Sequence, residues 1–206
     1  EKLDVKNLCI NSIPLEIISV KMSGQFTMHI LVSLIAGLVL AFPYVFFEFW
    51  SFIAPALRGN ERKHARGAVF YSSLLFLTGV VFGYYVISPL TVNFLGSYNV
   101  SPEVENKINL ISYVSTVTSV VLASGVIFEL PVVVFFLTKI GLVTPEFMRK
   151  YRRHSLVVIL ILAAIITPPD VFSQILVAIP LFFLYEISIF ISRGVIRRQK
   201  RELESE

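Results

Sequence analysis

The sequence predicts an all-α integral membrane protein, a polytopic helical bundle, and three observations carry that reading. Of its 206 residues, 55% are hydrophobic, more apolar surface than a soluble domain of this size keeps. The apolar residues come in blocks long enough to cross a bilayer. Strands open to lipid cannot satisfy their backbone groups, and no alternation of the barrel kind is present, so the blocks are helices.

Five blocks follow in order. The first runs from about Gly24 to Pro55 and is interrupted by Pro43. The second spans about Gly67 to Ser88, and the third about Leu110 to Ile140. The third ends on Lys139 followed by Gly141, the pattern of a helix C-terminus. Thr144-Pro145-Glu146 then reads as a helix start, with a capping hydroxyl, a proline at the first helical position and an acid in the first turn. The apolar part of this fourth block, Ser155–Ile166, is only about 18 Å long against a hydrocarbon core of about 30 Å. A thinned bilayer or screening by partner helices is expected at that corner. The fifth block covers about Val171 to Ile191, after a turn in which Pro168-Pro169 stops the fourth helix.

The basic residues set the orientation. Arg58, Arg62, Lys63 and Arg66 follow the first block. Lys139, Arg149, Lys150, Arg152 and Arg153 follow the third, and Arg193, Arg197, Arg198, Lys200 and Arg201 follow the fifth. Fourteen of the 18 basic residues thus fall on one side, the expected cytoplasmic side. The net charge of +4 therefore reports short membrane loops, and no nucleic acid is expected as a partner. Five spans place the N-terminal segment outside. No signal peptide is visible, so an earlier span is expected and the bundle would have six. The chain divides into an extracytoplasmic cap segment over residues 1–23, with short strands or an interfacial helix, a transmembrane helical domain over 24–192 and a charged cytoplasmic tail over 193–206. The last residues, from Arg197, are expected to fray.

Three carboxylates interrupt the apolar blocks: Glu48, Glu129 and Glu186. Glu129 lies past the middle of the third block, where an acid costs about 2.5–3.5 kcal/mol on insertion scales. It admits a functional reading as proton carrier, substrate contact or glue between helices. The plainer reading is a protonated acid bonded to the hydroxyls of its own helix, Ser112, Ser115, Thr116, Thr118, Ser119 or Ser124. Pro131 cannot donate to the carbonyl of Ile127, so a bend is expected there that turns the carboxylate toward a concavity rather than lipid. Glu48 reads as an acid that reaches the interface, with Tyr44 and Trp50 as belt aromatics; Glu186 is equally ambiguous. By composition alone Glu61 is a loop acid in a weak surface ion pair. Asp170 reads as a helix cap, and Gln174 as an amide that needs a partner inside the next helix.

Enzymatic sequences are absent: there is no GxSxG, HExxH or Walker pattern. His29, His64 and His154 are scattered and bring no second ligand at metal spacing, and Cys9 stands alone. No cofactor, metal or catalytic residue is expected.

Phe49-Trp50-Ser51-Phe52-Ile53-Ala54-Pro55-Ala56-Leu57, Asn60-Glu61-Arg62-Lys63, Phe128-Glu129-Leu130-Pro131 and Thr167-Pro168-Pro169-Asp170-Val171-Phe172-Ser173-Gln174 occur in that order. Together they closely resemble TatC, the receptor subunit of the twin-arginine protein translocase, from about Phe26 onward. The resemblance implies a concave, glove-like bundle of six helices with both ends cytoplasmic, five of them visible here. The family's N-terminal acidic/Arg motif, which contributes to signal recognition, is not in this chain. Relatives often carry Gln at Glu48 and His-Glu-Arg-Arg at the loop, so Glu48 inherits no role.

Position by position, the resemblance makes Glu61, with Arg62 beside it, the site for twin-arginine signal peptides. Phe52 is an aromatic near that site, and Phe26 a functional position at the outer start of the first visible helix. Glu129, with Pro131, becomes the intramembrane acid on the concave side. Thr167, Asp170 and Gln174 become a polar cluster that docks TatA- and TatB-type single-helix proteins. The implied function is a non-enzymatic receptor and core subunit in the bacterial inner membrane, in a homo-oligomeric complex that exports folded proteins with the proton gradient. The alternative is a proton-coupled secondary transporter that uses Glu129 as its carrier, which no internal repeat supports.

Overall fold

The computed structural model describes residues 16–53, 65–98, 107–167 and 171–204. Helix α1 spans Gly24–Ile53 and passes through Pro43 without a break, so the expected interruption is not seen. Proline removes one ladder bond, but a long apolar helix in lipid keeps the rest. Helix α2, Ala65–Phe82, runs into a π-helical turn at Gly83–Ile87 and then into α3, Ser88–Ser97. The second block therefore reaches one helix further than its hydropathy suggested. Pro89 has no N–H to offer the carbonyl of Tyr85. The wider turn accommodates this, with the Ser88 amide and hydroxyl both donating to the carbonyl of Gly83.

The third block is two helices, α4 at Leu110–Phe128 and α5 at Leu130–Lys139, broken at Glu129 as Pro131 predicts. After α5 the chain turns at Gly141, whose φ of 79° suits a residue without a Cβ. Thr144 then caps the six-residue α6, Pro145–Lys150, its hydroxyl accepting from the Phe147 amide at 3.2 Å. Helix α7, Arg152–Ile166, has 15 residues, about 22 Å, so the short fourth block is a short helix. Helix α8, Val171–Glu204, carries Pro180 inside it. It continues through Arg197, where fraying was expected. Arg, Lys, Gln and Glu are good helix formers, and basic groups near a C-terminus oppose the helix dipole.

Among the described residues, four helical stretches are long and apolar enough to cross a membrane: Gly24–Phe52, Val69–Ser97, Leu110–Lys139 and Ser173–Arg197. Helix α2 packs along α4 and also on α1, while α5 and α7 pack on α8. One apolar cluster joins these layers, built from Ile87, Val120, Phe128, Ile159, Ala163, Ile166, Val177 and Leu181.

Among the described residues before α1, one short strand is observed. Strand β1, Ile17–Ile18, pairs in parallel with β2, Ile108–Asn109. Asn109 also caps α4, its side-chain oxygen accepting from the Ile111 amide at 3.1 Å. The segment before α1 is thereby tied to the start of the helix that carries the acid.

Candidate functional site

Two glycine-lined helices build the site around Glu129. On α2 the buried face reads Ser72, Phe76 and Gly79, continuing to Gly83 in the π turn, the i, i+4, i+7 pattern of one helical stripe. Opposite it on α4 lie Ser124, Gly125 and Phe128, all buried. A Cβ at Gly79 would stand 2.7 Å from both the Phe128 Cβ and the Ser124 carbonyl oxygen. The backbones therefore meet at a distance that only glycine permits.

That approach brings Ser72 to the break between α4 and α5. Glu129 closes α4 with φ −75° and ψ −3°, and its amide donates to the Val126 carbonyl at 3.1 Å. Its own carbonyl accepts from Val132 at 2.9 Å and Val133 at 3.0 Å, which starts α5. The side chain is 8% exposed and Pro131 beside it is fully buried. The Ser72 hydroxyl donates to Oε2 of Glu129 at 2.8 Å. Oε1 is buried with no hydrogen-bond partner among the described residues. The hydroxyl that meets the acid thus comes from another helix and not from α4, where the sequence placed it. On α4 itself Thr118 and Ser124 turn back to the carbonyls of Val114 and Val120. Ser72 was missed as a site residue. Its only signal was the Ser72-Ser73 pair inside an apolar block, which cannot say what lies across the interface.

The other expected residues distribute as follows. Trp50 is 2% exposed and packs on Phe136 of α5 with ring centroids 4.8 Å apart. It is a packing residue rather than a belt aromatic, because its ring lies against Phe136 and away from the surface; Tyr44 remains exposed. Phe26 and Phe52 are both exposed and stand about 39 Å apart along α1, so the structure does not bring them together. Glu48 is exposed. Glu186 pairs with Arg152 at 2.7 Å and joins α8 to α7, both groups partly exposed, so the pair adds at most about 1 kcal/mol. Beside it the Tyr185 hydroxyl donates to the Met148 carbonyl at 2.7 Å and accepts from Ser155 at 2.9 Å.

Thr167 closes α7 and Gln174 lies in the first turn of α8. Thr167 is buried and its hydroxyl donates to the Ala163 carbonyl at 2.8 Å. The Gln174 amide donates to the Leu160 carbonyl at 3.0 Å, which supplies the partner its position demands. Phe128, next to Glu129, and Ile166, next to Thr167, belong to the same apolar cluster. Glu61, Arg62 and Asp170 lie outside the described residues.

Comparison with known proteins decides the family. The family model described as Sec-independent protein translocase protein (TatC) matches residues 4–180. The chain belongs to the TatC family. A TatC of Blattabacterium sp. subsp. Periplaneta americana is 42% identical over 185 residues, covering 90% of this chain and 70% of the relative. A TatC of Listeria innocua is 37% identical over 183 residues, covering 89% and 74%. The crystal structure of the twin-arginine translocase receptor TatC in DDM superposes with a TM-score of 0.73 at 36% identity, covering 91% of this chain and 84% of that one. As a TatC, the chain is a protein translocase component, a multi-pass helical membrane protein from a transport family. The break at Glu129, the short α7 and the long α8 are the features of this TatC that position its polar groups.

Proposed function

We propose that this TatC is the receptor and core subunit that binds twin-arginine signal peptides at the cytoplasmic face of the bacterial inner membrane. The observation that carries the reading is a buried carboxylate held at a helix break, Glu129 on Ser72, in a chain of the TatC family. A buried acid in a span marks a functional site by default. The first contact with cargo falls to the loop of Glu61 and Arg62, near Phe52. A carboxylate takes an arginine pair in bidentate fashion, which lysine cannot copy. Glu129 and Pro131 act at a later step, inside the membrane. Thr167, Asp170 and Gln174 form the docking region for TatA- and TatB-type single-helix partners, with Phe26 a further functional position. The assembled, homo-oligomeric complex exports folded proteins with the proton gradient, the C-terminus stays in the cytoplasm, and no step is enzymatic.

Crosslinking of a twin-arginine precursor to the full-length protein, beside its twin-lysine version, tests the reading. The twin-arginine form is expected to crosslink, and Glu61→Ala to lower its yield about tenfold, the size of one lost charge-assisted pair, with membrane abundance unchanged. Equal yields from the two precursors, or a yield indifferent to Glu61→Ala, would overturn it. A proton-coupled secondary transporter would use the same Glu129 and would bind neither precursor.

A further inference from the structure

We propose that Ser72 is a positioning residue for Glu129, holding Oε2 so that Oε1 is the atom this acid offers in transport; this rests on the functional reading above. The other serine and threonine hydroxyls of α2 do not behave this way. Ser73 donates back to the Val69 carbonyl at 2.8 Å and Thr78 to the Leu74 carbonyl at 2.7 Å, the ordinary resort of a hydroxyl in an apolar helix. Ser72 instead reaches across to Glu129, 57 residues away in the chain, and makes no other hydrogen bond from its hydroxyl among the described residues.

The contact is buried on both sides. Ser72 has no exposed surface and Glu129 is nearly enclosed. Glu129 also stands at the joint between α4 and α5. A serine has one O–H to give, and it is spent on Oε2. Oε1 is left as a buried oxygen without a partner among the described residues, a state that costs free energy unless another polar group arrives. Ser72 therefore decides which oxygen is spoken for and which waits for a polar or cationic group brought into the membrane.

The test uses the intact translocase in inverted membrane vesicles, with transport of a twin-arginine precursor counted per inserted copy. Ser72→Ala removes the donor and leaves a small cavity. Ser72→Cys fills the same space with a weak donor. Both are expected to lower transport about tenfold, and Ser72→Ala is expected to add nothing in a Glu129→Ala background. Wild-type transport by Ser72→Ala, full rescue by Ser72→Cys, or the same tenfold loss without Glu129 would each overturn the proposal. If Ser72→Ala fails to accumulate, Ser72→Cys carries the comparison. A second readout is the infrared band of the Glu129 carboxyl, identified by its loss in Glu129→Gln. The band should move in both Ser72 variants, and an unmoved band also overturns the proposal. A moved band with transport indifferent to Glu129→Ala would instead sink the part of the functional reading that gives Glu129 a role in transport, and with it the role of Oε1, and leave only the hold of Ser72 on the carboxyl intact.

Discussion

Replacing Gly79 with alanine tests how the site is assembled. The added carbon would lie 2.7 Å from the Phe128 Cβ and 2.7 Å from the Ser124 carbonyl oxygen. Carbon atoms in contact prefer about 3.5–4.0 Å, so the helices must part by nearly 1 Å. Neither obstacle can swing aside, because one is backbone and the other a Cβ. Ser72 sits seven residues earlier on the same face of α2, about 10 Å along the axis. A parting of that size would stretch its 2.8 Å bond to Glu129 toward the hydrogen-bond limit. Gly37→Ala is the control, since a Cβ there meets nothing within 4 Å. Both changes put alanine for glycine inside a helix, so helix propensity cancels between them. The difference isolates overpacking, about 1–3 kcal/mol, or roughly 2–12 °C in a chain of this size. Thermal aggregation of the purified protein in detergent reads the difference, and the Glu129 infrared band reads the loss of the Ser72 contact. Equal melting of the two variants would refute the argument that glycine is what lets α2 and α4 meet.

Two further outcomes follow from the same packing. Glu129→Ala should insert normally yet impair transport, and Glu129→Gln should impair it less, because the amide oxygen still accepts from Ser72; normal transport by Glu129→Ala would make the acid a tolerated polar group. Trp50→Ala should cost about 3–5 kcal/mol of stability by emptying the contact with Phe136. Trp50→Phe should cost less than about 1.5 kcal/mol, since the indole N–H is buried without a partner among the described residues; equal damage from the two, measured by thermal aggregation, would show that the N–H is bonded.

Much of the local structure was legible because it depends on near neighbours in the chain. The break at Glu129 follows from Pro131 two residues on, the start of α6 from Thr144-Pro145-Glu146, and its preceding turn from Gly141. Trp50 and the tail were misjudged for complementary reasons. Interfacial aromatics and buried ones share a composition, and only the contact of Trp50 with Phe136 separates them. A charged tail looks disordered by composition, although its residues are helix formers that extend α8 to Glu204.

By itself, then, the sequence determined that this is a multi-span helical protein, where α4 gives way to α5 and where α6 begins, and which acid is out of place in lipid. These are properties of hydropathy and of single residues, and they need no partner to be read. The tertiary structure alone decided what that acid touches. Ser72 and Glu129 are brought together by the match of glycines on α2 with the face of α4, and the register between two helices is a packing outcome that no local pattern encodes.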